Sequence, residues 1–192
     1  MISIATNMAN NPNTFGGAAW KGMEKMNSEL FTLTYGALVS QLIRDHEDVE
    51  AVNVQLEKMG YNIGVRLIDE FLAKSNTERC ANFESTANLV AKVGLKMFLG
   101  VNAQVDKWNS EKTACSITLA DNPFQSYVEL PPSLSKLCYC NLMCGVIRGA
   151  LEMVNLVVTC EFVKQKLRGH DVDEIRLTLQ SVREDQPPPD DE

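Results

Sequence analysis

Histidine is nearly missing from this chain: His46 and His170 are the only two in 192 residues, alongside six Cys, two Trp and an aromatic content of 7%. Zinc sites built from Cys and His need paired ligands at suitable spacings, and no C-x-x-C occurs. Also missing are G-x-x-x-x-G-K-[ST], G-x-G-x-x-G, G-x-S-x-G and H-E-x-x-H, so the common phosphate, dinucleotide, hydrolase and zinc-protease signatures are not written here. Basic residues are scarce, with 18 Lys plus Arg against 25 Asp plus Glu and a net charge of -7. A nucleic-acid footprint needs clustered Lys and Arg, so polyanions are not expected as ligands. No apolar run is free of polar interruption: Leu137 to Val158 contains Asn141, Arg148, Glu152 and Asn155, each costly in lipid. Met1 to Asn10 carry no Lys or Arg and no sustained apolar core, so neither a secretory signal nor a basic presequence is expected there. The six Cys accordingly read as reduced thiols.

What is present is an ordinary globular composition, 45% apolar and 22% charged. A domain of about 150 residues buries roughly 70% of its extended surface without needing disulfides. Residues 1–27, rich in Asn, Gly, Ala and Met and without helical or strand period, read as a flexible extension. Residues 183–192 form an acidic Pro-rich tail that carries more than half of the net charge. Between them, 28–182 read as one domain.

Phe31, Tyr35, Leu38 and Leu42 recur at spacings of 4, 3 and 4 and predict a helix from an N-cap at Ser28 to Asp45. Val49, Val52, Leu56 and Met59 predict a second helix stopped by Gly60. Asn62 then caps a third, with Leu67, Ile68, Phe71 and Leu72 as its stripe, ending near Lys74. A fourth runs from about Phe83 to Leu99 and closes at Gly100. Val105 to Trp108 and Thr113 to Leu119 read as a hairpin, and Tyr127 to Leu130 as a short strand stopped by Pro131 and Pro132. From Ser135 to Arg168 the apolar positions fit a central helix of roughly 50 Å. Ile175, Leu177 and Leu179 alternate with polar residues in a last strand beside the hairpin. The sum is α+β: four to five helices on one side of a small antiparallel sheet.

Cys80 has the most suggestive surroundings. It follows Arg79 and precedes a predicted helix N-terminus, and both the positive side chain and the helix dipole favour thiolate. The plainer reading is a small buried hydrophobe. Nothing sets His46 or His170 beside it as a base, so a Cys–His hydrolase lacks support. Ala87, Ala91 and Gly94 form a stripe of small residues on the fourth helix, which either seats another helix or borders a channel. If Cys80 carried a fatty acyl chain, the chain would start at the head of this stripe; at about 0.8 kcal/mol per buried CH₂ it would contribute on the order of 10 kcal/mol at most. Cys138 and Cys140 lie about 200° apart on a helix and cannot share a metal. Cys115, Cys140, Cys144 and Cys160 read as core. Gly145 and Gly149 mark a close helix crossing, and Arg148 with Glu152, four apart, read either as a structural ion pair or as an interface pair.

Several strings carry a resemblance: Ser28 to Leu38 (SELFTLTYGAL), Met59 to Ile68 (MGYNIGVRLI), Phe71 to Cys80 (FLAKSNTERC), Tyr127 to Pro131 (YVELP) and Cys144 to Val154 (CGVIRGALEMV). Together they are similar to the core subunits of the transport protein particle, TRAPP, of the third-subunit (Bet-three) type. The resemblance implies a non-enzymatic scaffold that forms homodimers or pairs with other TRAPP core subunits, in a complex that tethers vesicles between the endoplasmic reticulum and Golgi and promotes nucleotide exchange on a Rab-type GTPase. It implies a cytoplasmic protein, peripheral at the cis-Golgi and endoplasmic reticulum membranes. It also implies palmitate in thioester linkage to Cys80, its chain in an internal apolar channel near Arg79, Ala87, Ala91 and Gly94, and no metal. The alternatives are a fatty-acid-binding carrier and a thiol-dependent acyl hydrolase. In the family a C-terminal tail reaches toward the GTPase nucleotide site, and an acidic tail there disfavours phosphate by repulsion.

Overall fold

The computed structural model describes residues 17, 18, 20–46, 48–75, 77 and 80–184. Helix α1, Ser28–Asp45, is capped one residue earlier than the sequence predicts. The Asn27 side chain, not Ser28, accepts from Leu30 N at 3.0 Å. Its buried face is Thr32, Tyr35, Val39 and Leu42. Helix α2 runs without interruption over Val49–Ser75, where two helices divided by Gly60 are predicted. The reason lies opposite, on α5, Asn141–Glu152. A Cβ built on Gly60 would overlap the Leu142 carbonyl oxygen, and one on Gly64 the Val146 carbonyl oxygen. Gly145 and Gly149 meet the Glu57 and Tyr61 carbonyls of α2 in the same way. Gly60 is therefore half of a reciprocal close crossing, for which the absent side chain matters more than any turn conformation. The crossing predicted for Gly145 and Gly149 is present.

Helix α3, Phe83–Leu89, continues through a π-helical segment, Val90–Gly94, into α4, Leu95–Leu99, where Gly100 at φ +71 ends it as expected. Strands β1, Ala103–Asp106, and β2, Ala114–Leu119, form the predicted hairpin. Tyr127, at φ +65, is not in a strand; the segment turns there and leads into a 3₁₀ turn at Pro132–Leu134.

The long helix predicted over 135–168 is the largest correction. Its first half is α5; its second is β3, Leu156–Lys164. Leu156, Val157, Val158 and Thr159 are mostly β-branched, and Asn155, at φ +68, turns the chain between the two elements. No Gly or Pro marks that turn, so the apolar pattern runs through it. Strand β4, Asp173–Val182, pairs with both β2 and β3, giving an antiparallel sheet in the order β1-β2-β4-β3.

The register puts Val105, Ile117, Ile175 and Phe162 in one row across the sheet, and Cys115, Leu177 and Cys160 in the next. These rows belong to the core together with Cys144, Ile147 and Leu151 of α5, so the helices lie on one face. At the end of that face Asp173 is fully buried, and its carboxylate accepts from Asn122 Nδ2 at 3.0 Å, Gln125 Nε2 at 2.6 Å and Lys166 N at 2.8 Å. The other face bears Ser116, Arg176, Thr118 and Glu174. Glu174 is held below the ordinary carboxylate range, first by a hydrogen bond from Lys107, with Lys164 at 3.6 Å adding to it. A lowered pKa contributes stability above the unfolded-state value and loses it as pH falls through the folded value. Glu174→Gln is therefore expected to melt below the native chain at pH 7, with the gap closing as the pH drops below about 4. Thermal melts across that range check it; a gap independent of pH would contradict it.

Candidate functional site

Cys80 lies three residues ahead of α3 and is half-buried. A reciprocal cap fixes its approach: the Asn82 side chain accepts from Ser85 N at 2.8 Å, while Asn82 N donates to Ser85 Oγ at 3.3 Å. Beside that cap Cys80 lines a cavity of about 1200 Å³ that opens to the surface and is walled chiefly by α1, α2, the α3–α4 helix and α5. Leu30 and Phe31 of α1, Leu67 and Phe71 of α2 and Val146 and Ile147 of α5 are among its walls. Arg183 is the one charged residue among the described residues that line it. Such a chamber exceeds the roughly 300–1,000 Å³ of ordinary small-molecule sites and suits a long apolar occupant.

Of the described residues singled out with Cys80, only Gly94 lines this cavity. A Cβ there would stand 3.9 Å from Phe71 Cε2, an ordinary contact, so the glycine leaves room toward the chamber. Ala87 and Ala91 are fully buried in the main core and do not line it. Ala91 and Gly94 both fall in the π-helical segment, whose wider turn takes an extra residue and breaks the α-helical stripe that the sequence suggests. Arg79 lies outside the described residues, as do 185–192 of the tail and 1–16 of the extension.

The remaining candidates behave as structure. His46 follows the end of α1, and His170 Nδ1 sits 3.1 Å from the Gln165 carbonyl oxygen; neither lines the cavity. Burial pushes the Cys138 thiol up to about 12 and Cys115 to about 11, and holds Cys140 and Cys144 well above the ordinary range. Thiols so raised are poor nucleophiles, and Cys115, Cys140 and Cys144 are core residues, whereas Cys138 is half-buried. Among the described residues no cluster of three or more His, Cys, Asp or Glu is arranged to hold a metal, and no helix is long and apolar enough to cross a membrane. Arg148 and Glu152 take other partners than the sequence predicts. Arg148 Nε is 2.5 Å from Glu57 Oε1 with its guanidinium over Tyr61, 4.5 Å from the ring centre, and Glu152 pairs with Arg183.

Most of the chamber was not legible as such. Ile63, Phe71, Phe98 and Ala150 come from three helices distant in sequence, and the only local signal is that their apolar stripes are wider than one core face needs. The mouth keeps apolar residues in the open: Met26 is 62% exposed, Leu30 58% and Val182 62%.

Comparison with known proteins gives consistent matches. The family model described as transport protein particle (TRAPP) component matches residues 31–178. The chain is 53% identical over 182 residues to trafficking protein particle complex subunit 3 of Dictyostelium discoideum, covering 94% of this chain and 98% of that protein. It is 40% identical over 188 residues to trafficking protein particle complex subunit BET3 of Saccharomyces cerevisiae, covering 96% and 97%. A crystal structure of a trafficking protein particle complex subunit 3 from Naegleria fowleri, covalently bound to palmitic acid, superposes with a TM-score of 0.80 at 52% identity, covering 84% of this chain and all of that one.

Proposed function

The chain belongs to the transport protein particle (TRAPP) component family, and from that premise we propose that it is a core subunit of a TRAPP tethering complex in endoplasmic reticulum to Golgi transport, carrying a palmitoyl group on Cys80 inside the apolar cavity. One observation carries this reading: Cys80 is the single cysteine lining an apolar chamber among the described residues, in a chain 52% identical to a relative with covalently bound palmitic acid. The thiol supplies the fixed end, and the chamber supplies the medium that an acyl chain prefers to water. No His, Asp, Glu or Lys is among the described lining residues, so none of these offers a thioester on Cys80 a general base to direct water at it. This favours a structural acyl group over the hydrolase alternative.

The same reading makes the subunit a scaffold. The exposed apolar residues Leu30, Leu33, Ile63 and Leu72 of α1 and α2 give it a face for a second copy or a related TRAPP subunit. Exchange on a Rab-type GTPase then belongs to the assembly, with this chain contributing part of the contact surface, and membrane association is peripheral at the cis-Golgi and endoplasmic reticulum. Recovery of the tagged chain from cytosol tests it: related small subunits of the complex are expected to co-purify in fixed proportion. A solitary monomer would overturn the reading.

A further inference from the structure

We propose that residues 20–26 are a strap that gates the apolar cavity, docked to keep an acyl chain in and released to let one enter or leave; this rests on the acyl reading above. Within the strap and its hinge at Asn27, only Trp20 and Met23 are half-buried, while residues 21, 22 and 24–27 are exposed. The two anchors grip one wall. The edge of the Trp20 ring lies on Gly100, where a Cβ would stand 2.8 Å from its Cη2 and 2.9 Å from its Cζ2. Gly100 thus serves the left-handed end of α4 and also leaves the indole its seat. Met23 packs on the cluster of Phe71, Val93 and Met97, against which Ile68, Leu89 and Phe98 also lie.

Phe71, Phe98, Ile68 and Leu89 are at the same time wall residues of the cavity. Strap and chamber therefore share one layer of side chains, with Phe71 and Phe98, centroids 6.5 Å apart, between them. Met26 stands at the rim itself, and Asn27, whose side chain caps α1, is the fixed hinge. Lys25 folds back over Trp20, its Nζ 5.0 Å from the ring centre.

The walls differ in how far they can yield. On the far side α2 and α5 are locked backbone to backbone at four glycines. On the strap side only two apolar anchors, Trp20 and Met23, hold a short segment joined to the domain at Asn27; the Lys25–Trp20 contact lies within the segment itself. Such an arrangement opens locally at far less cost than the fold. A long chain entering at the rim beside Met26 gains room inside when Met23 leaves the shared layer and Phe71 and Phe98 can swing outward.

The test follows a fluorescent fatty acid, cis-parinaric acid, by stopped flow on full-length Cys80→Ser protein, in which no thioester can form. In the W20A/M23A background its association and dissociation rates are both expected to rise about tenfold, as loss of roughly 1.4 kcal/mol of anchorage implies, with Kd nearly unchanged. Binding with unchanged rates overturns the gate and leaves the cavity reading standing, whereas failure of the probe to bind the parent protein overturns both. Trypsin cleavage after Lys21 and Lys25 of the parent needs no strap variant. Saturating cis-parinaric acid is expected to slow it several-fold, and an unaltered cleavage rate would likewise overturn the gate.

Discussion

Cys80→Ser is expected to abolish the covalent adduct completely and to lower the melting temperature by more than 10 °C. A buried chain contributes about 0.8 kcal/mol per CH₂, so on the order of 10 kcal/mol is the ceiling for its removal. Part of that is lost because the unfolded acylated chain shields its tail. A loss of even about 5 kcal/mol shifts Tm by more than 10 °C for a chain of this size, at roughly 2–4 °C per kcal/mol. Intact-mass spectra and melts of the two proteins from the same eukaryotic host check both parts. Gly94→Leu approaches the claim from the chamber side, because Gly94 lines the cavity beside Phe71 and a bulky side chain there would take up room proposed for the acyl chain. It is expected to reduce acylation while leaving Cys80 in place. Full acylation of this variant would mean the chain runs elsewhere.

The second large effect concerns the fold that holds the chamber. Helix propensity alone says that Gly145→Ala should stabilise by up to about 1 kcal/mol. The crossing says the opposite. A Cβ at Gly145 overlaps the Glu57 carbonyl oxygen and stands 2.7 Å from Tyr61 N, and both are backbone atoms of a helix with no freedom to step aside. The expected result for Gly145→Ala is a loss of about 3 kcal/mol, and more for Gly145→Val, read by urea unfolding. Gly94→Ala is the control: it is also helical, but its Cβ meets only ordinary contacts, and it should be neutral or stabilising. If both substitutions stabilise, the crossing is looser than it stands here.

The same glycines show where the sequence misleads. Gly60 reads as a helix stop because a glycine after a periodic run usually is one; only its partner, more than 80 residues later, reveals that it makes room for α5. Strand β3 was hidden for a related reason. Its apolar residues continue the run of α5, and the turn between them is made by Asn155 in the left-handed region, which no Gly or Pro announces. Elements whose signals are local came through: α1, the α3–α4 helix with its Gly100 end, the hairpin and β4. In the site, Cys80 could be singled out from its neighbours and from the resembling strings, whereas Ala87 and Ala91 could not be separated from Gly94. An uninterrupted α-helical period aligns all three, and the π-helical segment that breaks the alignment has no sequence mark of its own. The strap anchors Trp20 and Met23 sit in a segment without period, and their role depends on a wall assembled from α2 and α4.

The central claim is a thioester-linked acyl chain on Cys80, and intact-mass spectrometry of the native chain before and after neutral hydroxylamine tests it most directly. The account predicts a palmitoyl increment that maps to the peptide containing Cys80 and disappears with hydroxylamine. An unmodified mass, or a fatty acid removed by mild organic extraction with Cys80 left free, would contradict it.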